Sequence, residues 1–464
     1  MAFKVKIKNI GKLEDAEVSI GQFTVFAGPN NTGKSFVSKL LYSLFNAMNA
    51  NNVETLVNDL FRPVYECLMI PMKLHHIATP PDRATISWQS SLENEIKKLE
   101  DLIKEASNEE FENENIILED IIPDLTSQIE KIEKIAVDMP WLPKTKIGER
   151  KKTDQKYLEI LTNAFAEMKE KLPQTNAENF SNIGIKYEIS QNLIQNFQVP
   201  IVSDLMKKES TPSEVVVEDF GKFAFVDEGV GFEIDRSRVK QLQQYSRVIY
   251  LESPVYWKLK TALEDTRDYP VSLGERERLS GVPRYFYDLA SALKFEYTGE
   301  MAFPDVYAKL TGKNVLGGRM AISETGNLSF QENGRNFSLP VTAMGIANLG
   351  ILALLIERKV LDKGTFLFID EPEAHLHPAW QVVMAESLFE LSRQGVNVVI
   401  ATHSADILQW LDVHVKKNPD DEQLIALNQF PVKSGKTEED FETKMGKIMH
   451  ELTKPFSDLY IEGI

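Results

Sequence analysis

The sequence predicts an α/β fold: a mostly parallel sheet, antiparallel strands ahead of it at the N-terminus, and a helical insertion between the two sheet-forming halves. Three observations carry that reading. Short apolar runs at 366–370 and 396–402 alternate with amphipathic stretches at 345–360 and 378–394, the pattern of buried strands covered on both faces by helices. Residues 3–9 (FKVKIKN), 15–20 (DAEVSI) and 23–28 (FTVFAG) read as short strands parted by glycine-containing breaks. From about 85 to 175 the texture turns helical: Leu92, Ile96, Leu99, Ile103 and Ala106, and then Leu125, Ile129, Ile132 and Ala136, recur every three or four residues.

Within the insertion, the Asn-rich stretch 108–115 and Pro123 are expected to break the helices into pieces of ~15 residues, each spanning ~22 Å. A helical hairpin or small bundle follows. Segment 246–253 (SRVIYLES) returns the chain to strand, and 320–341 reads as a small meander with tight turns at 325–327 and at Asn333-Gly334. The expected organisation is 1–75, 76–244 (mainly helical) and 245–464.

Bulk properties narrow the function. The chain of 464 residues is long enough for two or three units. Lys and Arg number 52 against 69 Asp and Glu, a net charge of −17, which opposes non-specific attraction to nucleic acid. Any such contact needs a local patch, for which Lys144, Lys146, Arg150, Lys151, Lys152 and Lys156 are the candidates. The single cysteine, Cys67, excludes an intramolecular disulfide and a CxxC metal site. The N-terminus lacks the unbroken apolar core of a signal peptide, and the apolar run 350–356 is far short of the roughly 20 residues of a membrane span. A cytoplasmic protein without a membrane partner is expected.

Residues 28–35, GPNNTGKS, match G-x-x-x-x-G-K-[ST] between a strand and a helix. Gly28 and Gly33 let the backbone wrap a phosphate chain, with Asn30, Asn31 and Thr32 forming the loop between them. Lys34 is expected to reach the β- and γ-phosphates of ATP and Ser35 to ligate Mg²⁺. A buried parallel strand then delivers Asp370 and Glu371 to the edge where such a loop begins. Asp370 is expected to hold Mg²⁺ through its water shell, and Glu371 to orient and deprotonate the attacking water. Acids also end strands simply because strands end in solvent, so this reading depends on the phosphate loop beside it. His403, at the end of a neighbouring strand, is expected to contact the γ-phosphate. Glu373, His375 and His377 offer transition-metal donors, although an i, i+2 pair of histidines in an irregular loop is weak spacing for a metal site.

Taken together, these residues resemble the ABC-type ATPase heads of the SMC, RecF and OLD kind, P-loop NTPases in which FLFIDEPEAHLHP is similar to a Walker B and D-loop and ATHSADIL to an H-loop. The form DEPExHLHP resembles the OLD-like, antiphage-defence branch of AAA family ATPases. The resemblance covers about 1–50 and 245–464. It implies an ATP- and Mg²⁺-dependent ATPase whose heads pair as a homodimer or higher oligomer, with a signature loop completing the partner's site. Here that loop falls on LPVTAMGIANLG: Gly345 matches the family's glycine, while Ala343 stands at the usual serine, whose hydroxyl is then missing or supplied by Thr342. His375 and His377 fall in the interface loop. OLD-like relatives continue into a Toprim nuclease domain, for which the 61 residues 404–464 are too few. The resemblance therefore implies either a sensor or scaffold controlling a separately encoded effector, as in the ATPase subunits of PARIS or Septu systems, or a RecF/SMC-like DNA-binding ATPase of repair or recombination.

Overall fold

The computed structural model describes residues 2–49, 64, 83–109, 117–138, 152–171, 177–207, 212–227, 229–234, 247–252, 281–294, 300–323, 327–432 and 439–462. Two compact units emerge, one formed by Met1–Asn49 with Ile189–Ile464 and the other by Ala50–Glu188.

In chain order the elements are β1 (Phe3–Ile10), β2 (Leu13–Ile20), β3 (Phe23–Ala27) and α1 (Lys34–Asn49), then four helices, α2 (Arg83–Glu109), α3 (Ile117–Ala136), α4 (Lys152–Lys171) and α5 (Ala177–Phe197). Strands β4 (Ser213–Val217), β5 (Gly221–Val226), β6 (Gly229–Ile234) and β7 (Val248–Leu251) follow, with α6 (Arg284–Lys294) and α7 (Pro304–Thr311). A meander of β8 (Arg319–Ile322), β9 (Leu328–Glu332) and β10 (Arg335–Ser338) leads to α8 (Met344–Glu357), β11 (Phe366–Asp370), α9 (Pro378–Arg393), β12 (Asn397–Thr402), α10 (Ala405–Lys417), β13 (Ile425–Gln429) and α11 (Phe441–Glu462).

The larger unit is built on a five-stranded sheet in the order β13-β3-β12-β11-β7, every pairing parallel. Its central strands β3, β11 and β12 are buried at every position, which is why their sequences are unbroken apolar runs rather than alternations. Helix α1 buries Val37, Leu40, Leu41 and Leu44. Its Phe45 meets Phe366 of β11 edge-on, with ring centroids 5.3 Å apart.

The antiparallel sheet has the order β2-β1-β4-β5-β6. In β1, Val5 and Ile7 are fully buried while Lys4 and Lys6 reach across to Glu17 at 3.7 and 3.4 Å. Strands β4–β6 come from 213–234, a stretch expected to belong to a mainly helical insertion. Val5–Lys8 of β1 pair instead with Glu214–Val217 of β4. The period-2 burial of Val215 and Val217, then Phe223 and Phe225, explains the difference: these residues suit one face of a sheet. The meander forms as expected in the order β10-β9-β8. Asn333 and Gly334 both take positive φ, 48° and 74°, as a two-residue type I′ hairpin requires. Of the other expected turn, at 325–327, residues 325 and 326 lie outside the described residues.

In the second unit, Trp88 Nε1 donates to the Ile135 carbonyl at 2.8 Å and Gln128 Nε2 to the Glu95 carbonyl at 2.9 Å, so α2 and α3 run antiparallel. Lys169 of α4 bonds Glu133 of α3 at 2.6 Å. The helices are longer than expected: α2 has 27 residues, about 40 Å. Nor does Pro123 end a helix, since it lies inside α3. Pro123 costs the helix a backbone bond, but burial of Leu125, Ile129 and Ile132 along one face outweighs that loss. Of the basic cluster, Lys144, Lys146, Arg150 and Lys151 lie outside the described residues, and Lys152 and Lys156 fall on α4.

Candidate active site

Strand register brings the sequence-predicted groups together. Thr402 of β12 pairs with Ala27 of β3, and Asp370 of β11 pairs with Ala401 of β12. Gly28, His403 and Glu371 therefore leave three adjacent strands at the same sheet edge, with the His403 strand between the other two. Glu371 N–H donates to the Ala401 carbonyl at 2.9 Å and ties two of these strand ends together.

The loop between β3 and α1 has the phosphate-cradle backbone: Gly28 at φ 150°, Asn31 at 64° and Gly33 at 100°. A Cβ on Gly28 would lie 2.3 Å from the Phe430 carbonyl oxygen, so only glycine fits. Thr32 Oγ1 closes the loop on the Pro29 carbonyl at 2.8 Å, and Lys12, at the tip of the β1–β2 hairpin, donates to Asn31 Oδ1. The Asn30 and Asn31 side chains are exposed. Lys34 is buried, its Nζ donating to the carbonyls of Gly28 and Pro29 at 2.8 and 2.7 Å. Burial pushes its pKa down, opposed by attraction to Asp370, Glu373 and Glu371.

Ser35 Oγ donates to Asp370 Oδ1 at 2.8 Å. Burial raises the Asp370 pKa from 3.8 to about 6, partly countered by the Ser35 bond. A hydroxyl and a carboxylate at this spacing are the hard oxygen donors that suit Mg²⁺, which keeps several waters and takes one or two carboxylates. Glu371 is half exposed and sits at φ 51°, a left-handed conformation that a side chain tolerates only where its surroundings enforce it. His403 Nδ1 lies 3.6 Å from Glu371 Oε1 and 3.2 Å from Glu373 Oε1.

The loop after Glu371 packs against the N-terminus of α8. A Cβ on Gly345 would stand 2.7 Å from the His375 carbonyl oxygen, and Asn348 Nδ2 donates to the Ala374 carbonyl at 2.7 Å. Ala343, exposed, begins α8 without a side-chain cap. The Thr342 side chain is buried and its hydroxyl donates to the Ser338 carbonyl at 3.0 Å, so within this chain it is turned inward. His375 is exposed at φ 62°, and His377 caps α9 by accepting the Ala379 N–H at 3.3 Å. Among the described residues, no group of three or more His, Cys, Asp or Glu is arranged to hold a metal ion.

Sequence reasoning missed a network beneath Asp370. Tyr250 OH approaches Asp370 Oδ2 at 3.5 Å, and burial, then Asp370 and Glu252, push its pKa well above the ordinary value. Glu252, just past β7, pairs with Lys39 at 3.1 Å and accepts from the Tyr285 hydroxyl. The available signal was an acid directly after YL at the end of a parallel strand.

A parallel α/β sheet with a glycine-rich phosphate loop feeding α1 defines a P-loop ATPase fold. The profile of the AAA ATPase domain family matches residues 1–235 and 288–408, and the chain belongs to that family, whose domain supports nucleotide binding and hydrolysis in general. Over 44 residues it is 52% identical to the Old nuclease of Escherichia phage P2, a match covering 10% of this chain and only 8% of that protein's length. Among solved structures, the Smc head bound to the C-winged helix domain of ScpA shares 13% identity at a TM-score of 0.37, covering 88% of this chain and 90% of that one. The Smc head with coiled coil and joint from Pyrococcus yayanosii shares 12% identity at a TM-score of 0.32, covering 97% and 99%. No helix among the described residues is long and apolar enough to cross a membrane.

Proposed function

We propose that this chain is an ABC-type head that binds and hydrolyses ATP with Mg²⁺. The observation that carries the reading is the 2.8 Å contact of Ser35 with Asp370, which joins the phosphate loop to the acidic strand end. Lys34 exchanges the Gly28 and Pro29 carbonyls for phosphate oxygens, and the loop N–H groups with the α1 N-terminus receive the rest of the anion. Ser35 and Asp370 would hold the metal, which when bound would neutralise charge on the phosphates. Glu371 orients the water and takes its proton, and His403 meets the γ-phosphate. Two heads pair head to tail, the α8 N-terminus around Gly345 facing the partner's nucleotide together with the loop bearing His375 and His377. Because the Thr342 hydroxyl is engaged within its own chain, that contact rests on backbone N–H groups.

What the cycle drives has two readings. In one, paired heads hold or release a separately encoded effector in antiphage defence, which the net charge of −17 favours. In the other, the heads act on DNA in repair or recombination, and the local identity to a protein named Old nuclease favours this second reading.

The deciding experiment is native mass spectrometry of Glu371→Gln, expressed with its neighbouring genes, with and without Mg-ATP. The variant is expected to keep nucleotide and lose turnover, because an amide cannot accept the proton. Normal turnover would remove Glu371 from the role of base. A second protein at fixed stoichiometry supports the effector scaffold, and an ATP-dependent homodimer carrying nucleic acid supports the DNA reading. DNA affinity that falls steeply with salt is the further mark of the latter.

A further inference from the structure

The hydrolytic reading uses Glu371 and His403 but leaves Glu373 without a task, and Glu373 is the more deeply buried of the two acids on the loop after β11. Its Oε1 accepts both the Thr402 hydroxyl and the His403 main-chain N–H at 2.8 Å, fastening the loop after β11 to the end of β12. Its Oε2 has no hydrogen-bond partner among the described residues. The same Oε1 lies 3.2 Å from His403 Nδ1, a buried ring nitrogen that makes no formed hydrogen bond among the described residues and for which this carboxylate is the nearest acidic oxygen. Glu371 Oε1, at 3.6 Å, is the competing carboxylate. Keeping an acid only 6% exposed costs free energy that a loop merely joining a strand to a helix does not need.

We propose that Glu373 is a positioning residue: its carboxylate clamps the end of β12 and takes the Nδ1–H of His403, aiming Nε2 at the phosphates, to which it donates when it too carries a proton, and leaving the Glu371 carboxylate free for water. Were Nδ1–H bonded to Glu371 instead, the base would lose part of the electron density it needs to accept a proton. A carboxylate behind an imidazole fixes both tautomer and ring orientation. This assignment rests on the hydrolytic reading for its consequence, though not for its geometry.

Nitrogen-15 NMR of the imidazoles in the full chain tests it directly. There are seven histidines, and His403→Ala assigns the resonance. Wild type should carry a proton on Nδ1, and Glu373→Gln, which keeps an acceptor for Thr402 and His403 N–H but removes the charge, should weaken that preference. A wild-type ring protonated on Nε2 alone overturns the proposal whether or not the variant folds. Turnover supplies the second arm. Glu373→Gln should lower kcat about 10- to 100-fold with ATP affinity nearly unchanged, and should cost nothing further in a His403→Ala background. Fully additive losses in that cycle, or wild-type kcat in Glu373→Gln, would refute it. Nδ1–H in a wild-type protein that does not hydrolyse ATP would defeat the hydrolytic reading and leave the positioning assignment standing.

Discussion

Asp370 links stability and function most directly. Its carboxyl is raised from 3.8 to about 6, chiefly by burial. An acid whose pKa is higher folded than unfolded opposes folding once it ionises. The penalty is nil below the unfolded value, grows between pH 4 and 6, and is complete above about pH 6. A rise of that size corresponds to about 3 kcal/mol. Asp370→Asn removes the ionisation while keeping an oxygen for the Ser35 hydroxyl and setting an amide against Tyr250 OH. Urea denaturation without metal or nucleotide should show the variant more stable than wild type by up to about 3 kcal/mol at pH 8 and by much less at pH 4. The same substitution should abolish ATP turnover, because the amide is a poor ligand for a hard cation. An equal difference at both pH values, or a variant less stable at pH 8, would refute the argument that folding holds this carboxyl against its ionisation.

Three further outcomes are expected. Lys34→Ala should abolish ATP binding by calorimetry, and unchanged affinity would defeat the phosphate-loop assignment. His403→Ala should slow turnover on the order of a hundredfold with modest loss of binding, so a wild-type steady-state rate would count against its contact with the γ-phosphate. Gly345→Ala should destabilise the protein by about 1–3 kcal/mol, since the new methyl would meet the His375 carbonyl at 2.7 Å and Leu376 Cδ2 at 3.3 Å; an unmoved denaturation midpoint would contradict that packing.

The parallel sheet and its motifs were legible because their signals are local. GPNNTGKS specifies its own loop, and FLFID and VNVVIAT announce strands buried on both faces. The meander turn at Asn333-Gly334 was legible for the same reason, since few residues other than asparagine and glycine accept its positive φ values. Less legible were β4–β6, whose alternating Val215, Val217, Phe223 and Phe225 follow four long helices in the chain; β4 pairs with β1, more than two hundred residues earlier, and β5 in turn with β4. Pro123 misled because the local cost of a missing N–H was read without the helix–helix burial that outweighs it.

By itself, then, the sequence determined the chemical kit: the phosphate loop, Asp370 and Glu371 at one strand end, and His403 at another. Only the tertiary structure decided which of these groups touch. Parallel pairing of β3, β12 and β11 sets His403 between the phosphate loop and the two acids, and burial, not residue type, raises Asp370 and separates the buried Glu373 from the half-exposed Glu371. Strand order and desolvation are properties of the assembled sheet, and no short stretch of sequence carries either.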